Sequence, residues 1–152
     1  MLIRSASEME LILGQQRLWR RVLETLRRVA ESPERIADGA ARSVGDAATY
    51  RLLTPADVGS ADLVRHRRYH DTFAVLDGTL TLEVAPADQL TVVSPYRDTD
   101  DTELLSGAGT VVQIGAGQMG VLAIDEAVRV VELEGRCVLW RVTVEGSRIP
   151  ST

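Results

Sequence analysis

The chain's two histidines, His66 and His70, lie in one short run, His66-Arg67-Arg68-Tyr69-His70-Asp71. Buried charge is costly unless it is paired or put to use, so a crowd of titratable groups on an otherwise apolar element marks a candidate site. Arg65 to Asp77 reads as one β-strand closed by an Asp77-Gly78 turn. On a regular strand His66 and His70 share a face about 13 Å apart, too far to hold one metal ion. Within the same run Tyr69, Asp71 and Phe73 alternate and face one side together. A phenol, a carboxylate and an aromatic ring suit a small polar ligand that takes hydrogen bonds and offers an apolar face. The plainer reading is a Tyr–Asp hydrogen bond beside a core Phe73, with His70 solvated on the barrel surface.

Asp125, Glu126 and Arg129 are read as a charged turn of the penultimate hairpin. A functional reading sets Asp125 opposite His66, where an Asp/His pair could move a proton between ligand oxygens. The acidic run Asp98 to Glu103 begins like a calcium loop. Glu103 stands where the loop's sixth-position glycine should be, and Gly109 where its final glutamate should be, so it is read as a solvated loop. Cys137 is the lone cysteine, which excludes an internal disulfide and a multi-cysteine zinc site. It is read as a structural or half-buried strand thiol.

These groups need a scaffold. At 152 residues the chain fits one domain, able to bury roughly 70% of its unfolded surface. Every basic residue is arginine, so no Schiff-base lysine is available. The net charge of −5 argues against nucleic acid, whose binding rests on basic contacts to phosphate. There is no membrane-length apolar run and no signal-peptide core, and a cytoplasmic protein is expected.

Ser5 and Glu8 fit a capping box. A helix is expected from about Gln15 to Ala30, with Leu18, Trp19, Val22, Leu23, Leu26 and Val29 on one face. Arg17, Arg20, Arg21, Arg27 and Arg28 fall opposite, with Glu24 spaced to pair with Arg20 and Arg28. That face is either solvated or a docking surface for an acidic partner, with Arg17, Arg20, Arg21 and Arg28 as contacts. After Gly39 the apolar period changes to alternation. Strands are expected near 48–52, 65–77, 79–84, 90–93, 110–114, 118–124, 128–133 and 137–144, with Gly, Pro and Asp punctuation between them. Many short strands without intervening helices indicate an antiparallel sandwich or barrel. The division expected is a helical appendage over 1–38, a barrel over 39–146 and a tail over 147–152.

Several motifs carry a family likeness: Trp19-Arg20-Arg21, Ser43-Val44-Gly45-Asp46, Thr49-Tyr50-Arg51, His66-Arg67-Arg68-Tyr69, Tyr96-Arg97-Asp98, Leu105-Ser106-Gly107, Glu126-Ala127 and Arg141-Val142-Thr143-Val144-Glu145. In order and spacing the chain resembles the YhcH/YjgK/YiaL family, and within it the small-subunit (β) type of evolved β-galactosidase. The resemblance implies a mainly β, cupin-like double-stranded β-helix, a jelly-roll barrel with a pocket at its mouth. It implies a sugar ligand, a pocket position for His66 and a large glycosidase chain as partner; with the residues singled out by alternation and by the hairpin, the pocket candidates are His66, Tyr69, Asp71, Phe73, Asp125 and Arg129. A free-standing sugar anomerase or isomerase is the alternative, and a homo-oligomer is left open. Relatives of the small-subunit type carry histidines where this chain has Phe73 and Asp125, and the broader family often has one at the position of Val128. With those absent no tightly held metal or other cofactor is expected. A weak divalent site at His66, Asp71 and Asp125 is the remaining alternative.

Overall fold

The computed structural model describes residues 1–36 and 41–150. The expected boundary at 38/39 lies outside these residues, as does the end of the tail.

The chain opens on a short strand, β1 (Leu2–Ser5), where a wholly helical segment was expected. Helix α1 (Ala6–Leu13) follows, and the capping box is present: the Ser5 hydroxyl accepts from the Glu8 N–H. Gly14 ends α1 so tightly that a Cβ there would lie 2.3 Å from the Glu10 carbonyl oxygen. Helix α2 (Arg17–Glu31) buries Trp19, Val22, Leu23, Leu26 and Val29, the apolar stripe of the sequence.

The β body continues with β2 (Arg42–Val44), β3 (Ala48–Leu52), β4 (Leu63–Arg65), β5 (Tyr69–Val75), β6 (Thr79–Pro86) and β7 (Thr91–Arg97). It closes with β8 (Thr102–Ser106), β9 (Thr110–Gly115), β10 (Gln118–Val121), β11 (Glu126–Glu134) and β12 (Cys137–Thr143). Among the described residues these strands make two six-stranded antiparallel sheets, β1-β10-β5-β12-β3-β2 and β7-β8-β4-β11-β6-β9. The quartets β10-β5-β12-β3 and β4-β11-β6-β9 form the jelly roll. From β3 to β6 the chain alternates between sheets at every step, and it does so again from β9 to β12. The β7–β8 hairpin is added beside β4.

Residues alternate along the strands, apart from the irregularities in β7 and near Val131 of β11, so each sheet has two distinct faces. Between the sheets pack Phe73, Val75, Leu80, Leu82, Val128 and Leu139. On the far face of the first sheet Tyr50, Ala74, Val138, Trp140 and Val142 pack against Trp19, Val22 and Leu23 of the helices. Tyr50 stacks on Trp140 with ring centroids 4.4 Å apart, a geometry that adds to their area burial. The α2 stripe is therefore buried by the outer face of a jelly-roll sheet, not by the barrel interior.

One expected element is broken. The run 65–77 is two strands in opposite sheets, β4 and β5, joined by the crossing at His66, Arg67 and Arg68. At its far end Gly78 has φ +76, and a Cβ there would meet the Glu134 carbonyl oxygen at 1.9 Å. Glycine is needed at that turn.

Candidate functional site

The crossing from β4 to β5 lies at one mouth of the barrel. His66 continues the inward-facing set of β4, and Asp71 and Phe73 belong to the inward-facing set of β5. In the register of the first sheet, Asp71 lies opposite Arg141, and Arg141 opposite Thr49; the next inward row is Phe73, Leu139 and Arg51. Side chains in such rows are cross-strand neighbours on one face.

His66 is 6% exposed, and both ring nitrogens are engaged. Nδ1 lies 2.6 Å from the Asp101 carbonyl oxygen. A carbonyl only accepts, so Nδ1 carries a hydrogen and donates it. Nε2 lies 3.4 Å from Asp71 Oδ2. Burial alone would lower the His66 pKa, but the hydrogen bond and charge of Asp71, with the Asp101 carbonyl, outweigh it and raise the pKa above the usual value. The added proton sits on Nε2, between imidazole and carboxylate. Asp71 itself is buried, and its Oδ1 has no hydrogen-bond partner. Arg141 Nε lies 3.9 Å from that oxygen, and its side chain is 48% exposed. The guanidinium thus stands between a bare carboxylate oxygen and solvent.

Asp101 holds this mouth together. Its carboxylate accepts from the Arg67 N–H at 3.0 Å, the Arg68 N–H at 3.1 Å and the Tyr96 hydroxyl. It is buried and has φ +52. Burial would raise its pKa, but these donors and the charge of His66 hold it below the usual carboxylate range. The Arg67 guanidinium lies 4.2 Å above the Tyr96 ring, a cation–π contact that adds to the clamp. The Asp98–Glu103 run is therefore not wholly solvated: it turns into β8 and inserts Asp101 beneath the crossing loop. The signal was Thr102-Glu-Leu-Leu-Ser106, a short strand pattern hidden by its acidic flank.

The other candidates disperse. Tyr69 shares the side of Asp71 but sits at the strand end, 39% exposed, at the rim. Phe73 lies deeper, 2% exposed and packed among core aliphatics, so its ring is not open to a ligand. His70 is on the opposite face of β5 and is buried rather than solvated. Its Nδ1 contacts the Leu122 carbonyl oxygen at 2.9 Å, and burial lowers its pKa despite that bond. Arg129 is not at a turn; it lies within β11 on the outer face and pairs with Glu83 at 2.7 Å. Asp125 is exposed and lines an outer cleft with Arg65, Asp88 and Glu103. It does not join His66 and Asp71.

A metal is not well served by this donor set. Among the described residues no group of three or more His, Cys, Asp or Glu is disposed to hold one. His66 spends both nitrogens on protein oxygens, and the inward positions Phe73 and Val128 are apolar. Cys137 is buried, which pushes its thiol pKa up to about 12 and leaves it inert.

On the helix side, Arg17, Arg20, Arg21 and Arg28 are all exposed. Arg20 donates to the Gly14 carbonyl oxygen at 3.2 Å. The expected Glu24 pairs are absent among the described residues; instead Arg27 pairs with Glu10 of α1. A cleft of about 980 Å³ lies on this side, with Arg17, Arg21, Asp46, Glu145 and Arg148 in its lining; Thr143, also in the lining, pairs across the sheet with Tyr69 of the rim. Among the described residues no helix is long and apolar enough to cross a membrane.

No family model matches the chain. Among solved structures it is similar to a hydroquinone 1,2-dioxygenase from Sphingomonas sp. TTNP3, with 4-hydroxybenzoate bound, at 15% identity and a TM-score of 0.47, over 72% of this chain and 68% of that one. It is also similar to a cupin protein from Bacteroides fragilis at 17% identity and a TM-score of 0.25, over 77% of this chain and 86% of that one. The fold is cupin-like. Its own strand order carries that assignment, since both scores fall below 0.5.

Proposed function

We propose that this protein is a sugar-binding cupin-like protein of carbohydrate metabolism, and that it holds its ligand at the His66–Asp71 mouth. One observation carries the reading: Asp71 Oδ1 is buried without a hydrogen-bond partner, beside a half-exposed Arg141. An unmet buried acceptor is costly, and a sugar hydroxyl that displaces Arg141 supplies the missing donor. The Arg141 guanidinium then donates to further sugar oxygens, and the exposed Tyr69 ring offers the stacking face. Phe73 shapes the floor only from beneath. The resemblance stated above points to the role, an accessory small subunit of a β-galactosidase-type glycoside hydrolase. In that role the protein alone cleaves no β-galactoside and raises the activity of its large partner on mixing.

The His66–Asp71 contact supports a second reading, a sugar anomerase. Ring opening needs one proton delivered to the ring oxygen and one removed from the anomeric hydroxyl. His66 protonated at Nε2 can deliver the first, and the Asp71 carboxylate can take the second. Anomer exchange measured by NMR on the protein alone separates the two. Exchange at the solvent rate fits a binding subunit. Rapid exchange that is lost in Asp71→Asn establishes the enzyme.

A further inference from the structure

Four arginines, Arg21, Arg28, Arg35 and Arg42, line a cleft of about 500 Å³ between α2, the turn Pro33–Arg35 and the edge strand β2. All four are exposed, and none is in an ion pair with a carboxylate of the described residues. Among the described residues, Glu31 is the single acidic one in the lining. This concentration of positive charge stands in a chain of net charge −5. The C-terminal dipole of α2 favours a cation at Arg28, in its last turn, but not at Arg42 on the edge strand. Arg42 is held in place: its Nη2 donates to the Arg35 carbonyl oxygen at 3.0 Å, tying the strand to the turn. Like charges gathered in a concavity repel one another unless an anion joins them.

We propose that this cleft binds a small organic di- or polyphosphate. Guanidinium groups make paired, charge-assisted hydrogen bonds to phosphate oxygens, and arginines on three separate elements can grip adjacent phosphoryl groups from different sides. The volume lies in the range of small-molecule sites, and the hydroxyls of Ser32 and Ser43 add neutral donors. A concave lining fits a compact anion better than the flat carboxylate face of a protein partner. The site is separate from the barrel mouth: Tyr50 in its lining faces the helices, whereas Asp71 faces the barrel interior.

Calorimetry of the full chain with pyrophosphate, at roughly 0.15 M salt to screen loose surface attraction, tests the proposal. Saturable one-to-one binding is expected. Arg28→Gln should weaken it about tenfold, Arg28→Gln with Arg42→Gln further, and Arg28→Lys less than Arg28→Gln. Unchanged melting of these surface variants checks the fold, and the single variant decides if the double one is lost. Asp71→Asn should leave pyrophosphate binding unchanged, so the cleft and the mouth stand or fall separately. No binding, equal binding of sulfate, binding indifferent to Arg28 and Arg42, or tighter binding of a polyglutamate peptide would each overturn the proposal.

Discussion

His66 lies in the crossing just past β4 and Asp71 in β5 of the opposite sheet, and they meet with Nε2 3.4 Å from Oδ2. The meeting depends on the chain's crossing between β4 and β5. It places an imidazole with one fixed hydrogen, on Nδ1, against a carboxylate that has one oxygen unpartnered.

The two histidines should titrate on opposite sides of the ordinary value near 6.5. His66 is raised by Asp71, whereas His70 is lowered by burial. Proton NMR of the two imidazole Cε1–H signals measures this directly. Asp71→Asn should bring His66 down through loss of both hydrogen bond and charge, and His70 down by less, because only the charge of Asp71 acts on it. If the two titrate together in the wild-type protein, the assignment of their environments is wrong.

The sign of the stability effect follows from linkage. The raised His66 contributes stability that is fully present below its unfolded value and is lost as pH rises through its folded value. The lowered His70 acts oppositely, its contribution being present above the unfolded value and lost as pH falls below it. Asp71→Asn removes the first and deepens the second, because the Asp71 charge also holds His70 up. It should therefore cost more stability at about pH 5.5 than at about pH 8, as read from urea unfolding at both.

Phe73 and Asp101 should be structural positions. Phe73→Ala opens a cavity between the sheets and should cost about 3–5 kcal/mol. Weakened sugar binding in that variant would therefore say little about stacking; Tyr69→Ala, at the exposed rim, is the cleaner test. Asp101→Ala should cost about 1–3 kcal/mol, because two backbone N–H groups and a half-buried phenol lose their acceptor. A melting temperature unchanged in Asp101→Ala would show that the crossing loop is held by other contacts.

The β class, most strand positions and the α2 stripe were legible because each follows a simple apolar period. The resemblance added the jelly roll, and the strand order bears it out. The site was less legible. Tyr69, Asp71 and Phe73 do share one side, but alternation cannot reveal depth: Phe73 is core and Tyr69 is rim. Reading 65–77 as one strand hid the crossing, and with it the His66–Asp71 contact. Asp101 was invisible because an acidic run resembles a solvated loop whether or not one carboxylate turns inward. Arg129 and Asp125 were set near the mouth on the expectation of a hairpin turn, whereas β11 begins earlier and carries Arg129 on its outer face.

The central claim is that a sugar hydroxyl satisfies Asp71 at the barrel mouth. Titrating galactose and lactose into the protein while following the His66 Cε1–H signal tests it most directly. A saturable shift of His66 with little movement of His70 is expected, weakened by Tyr69→Ala and abolished by Asp71→Asn while the fold persists. A His66 signal that does not respond to sugar, or responds equally in Asp71→Asn, would contradict it.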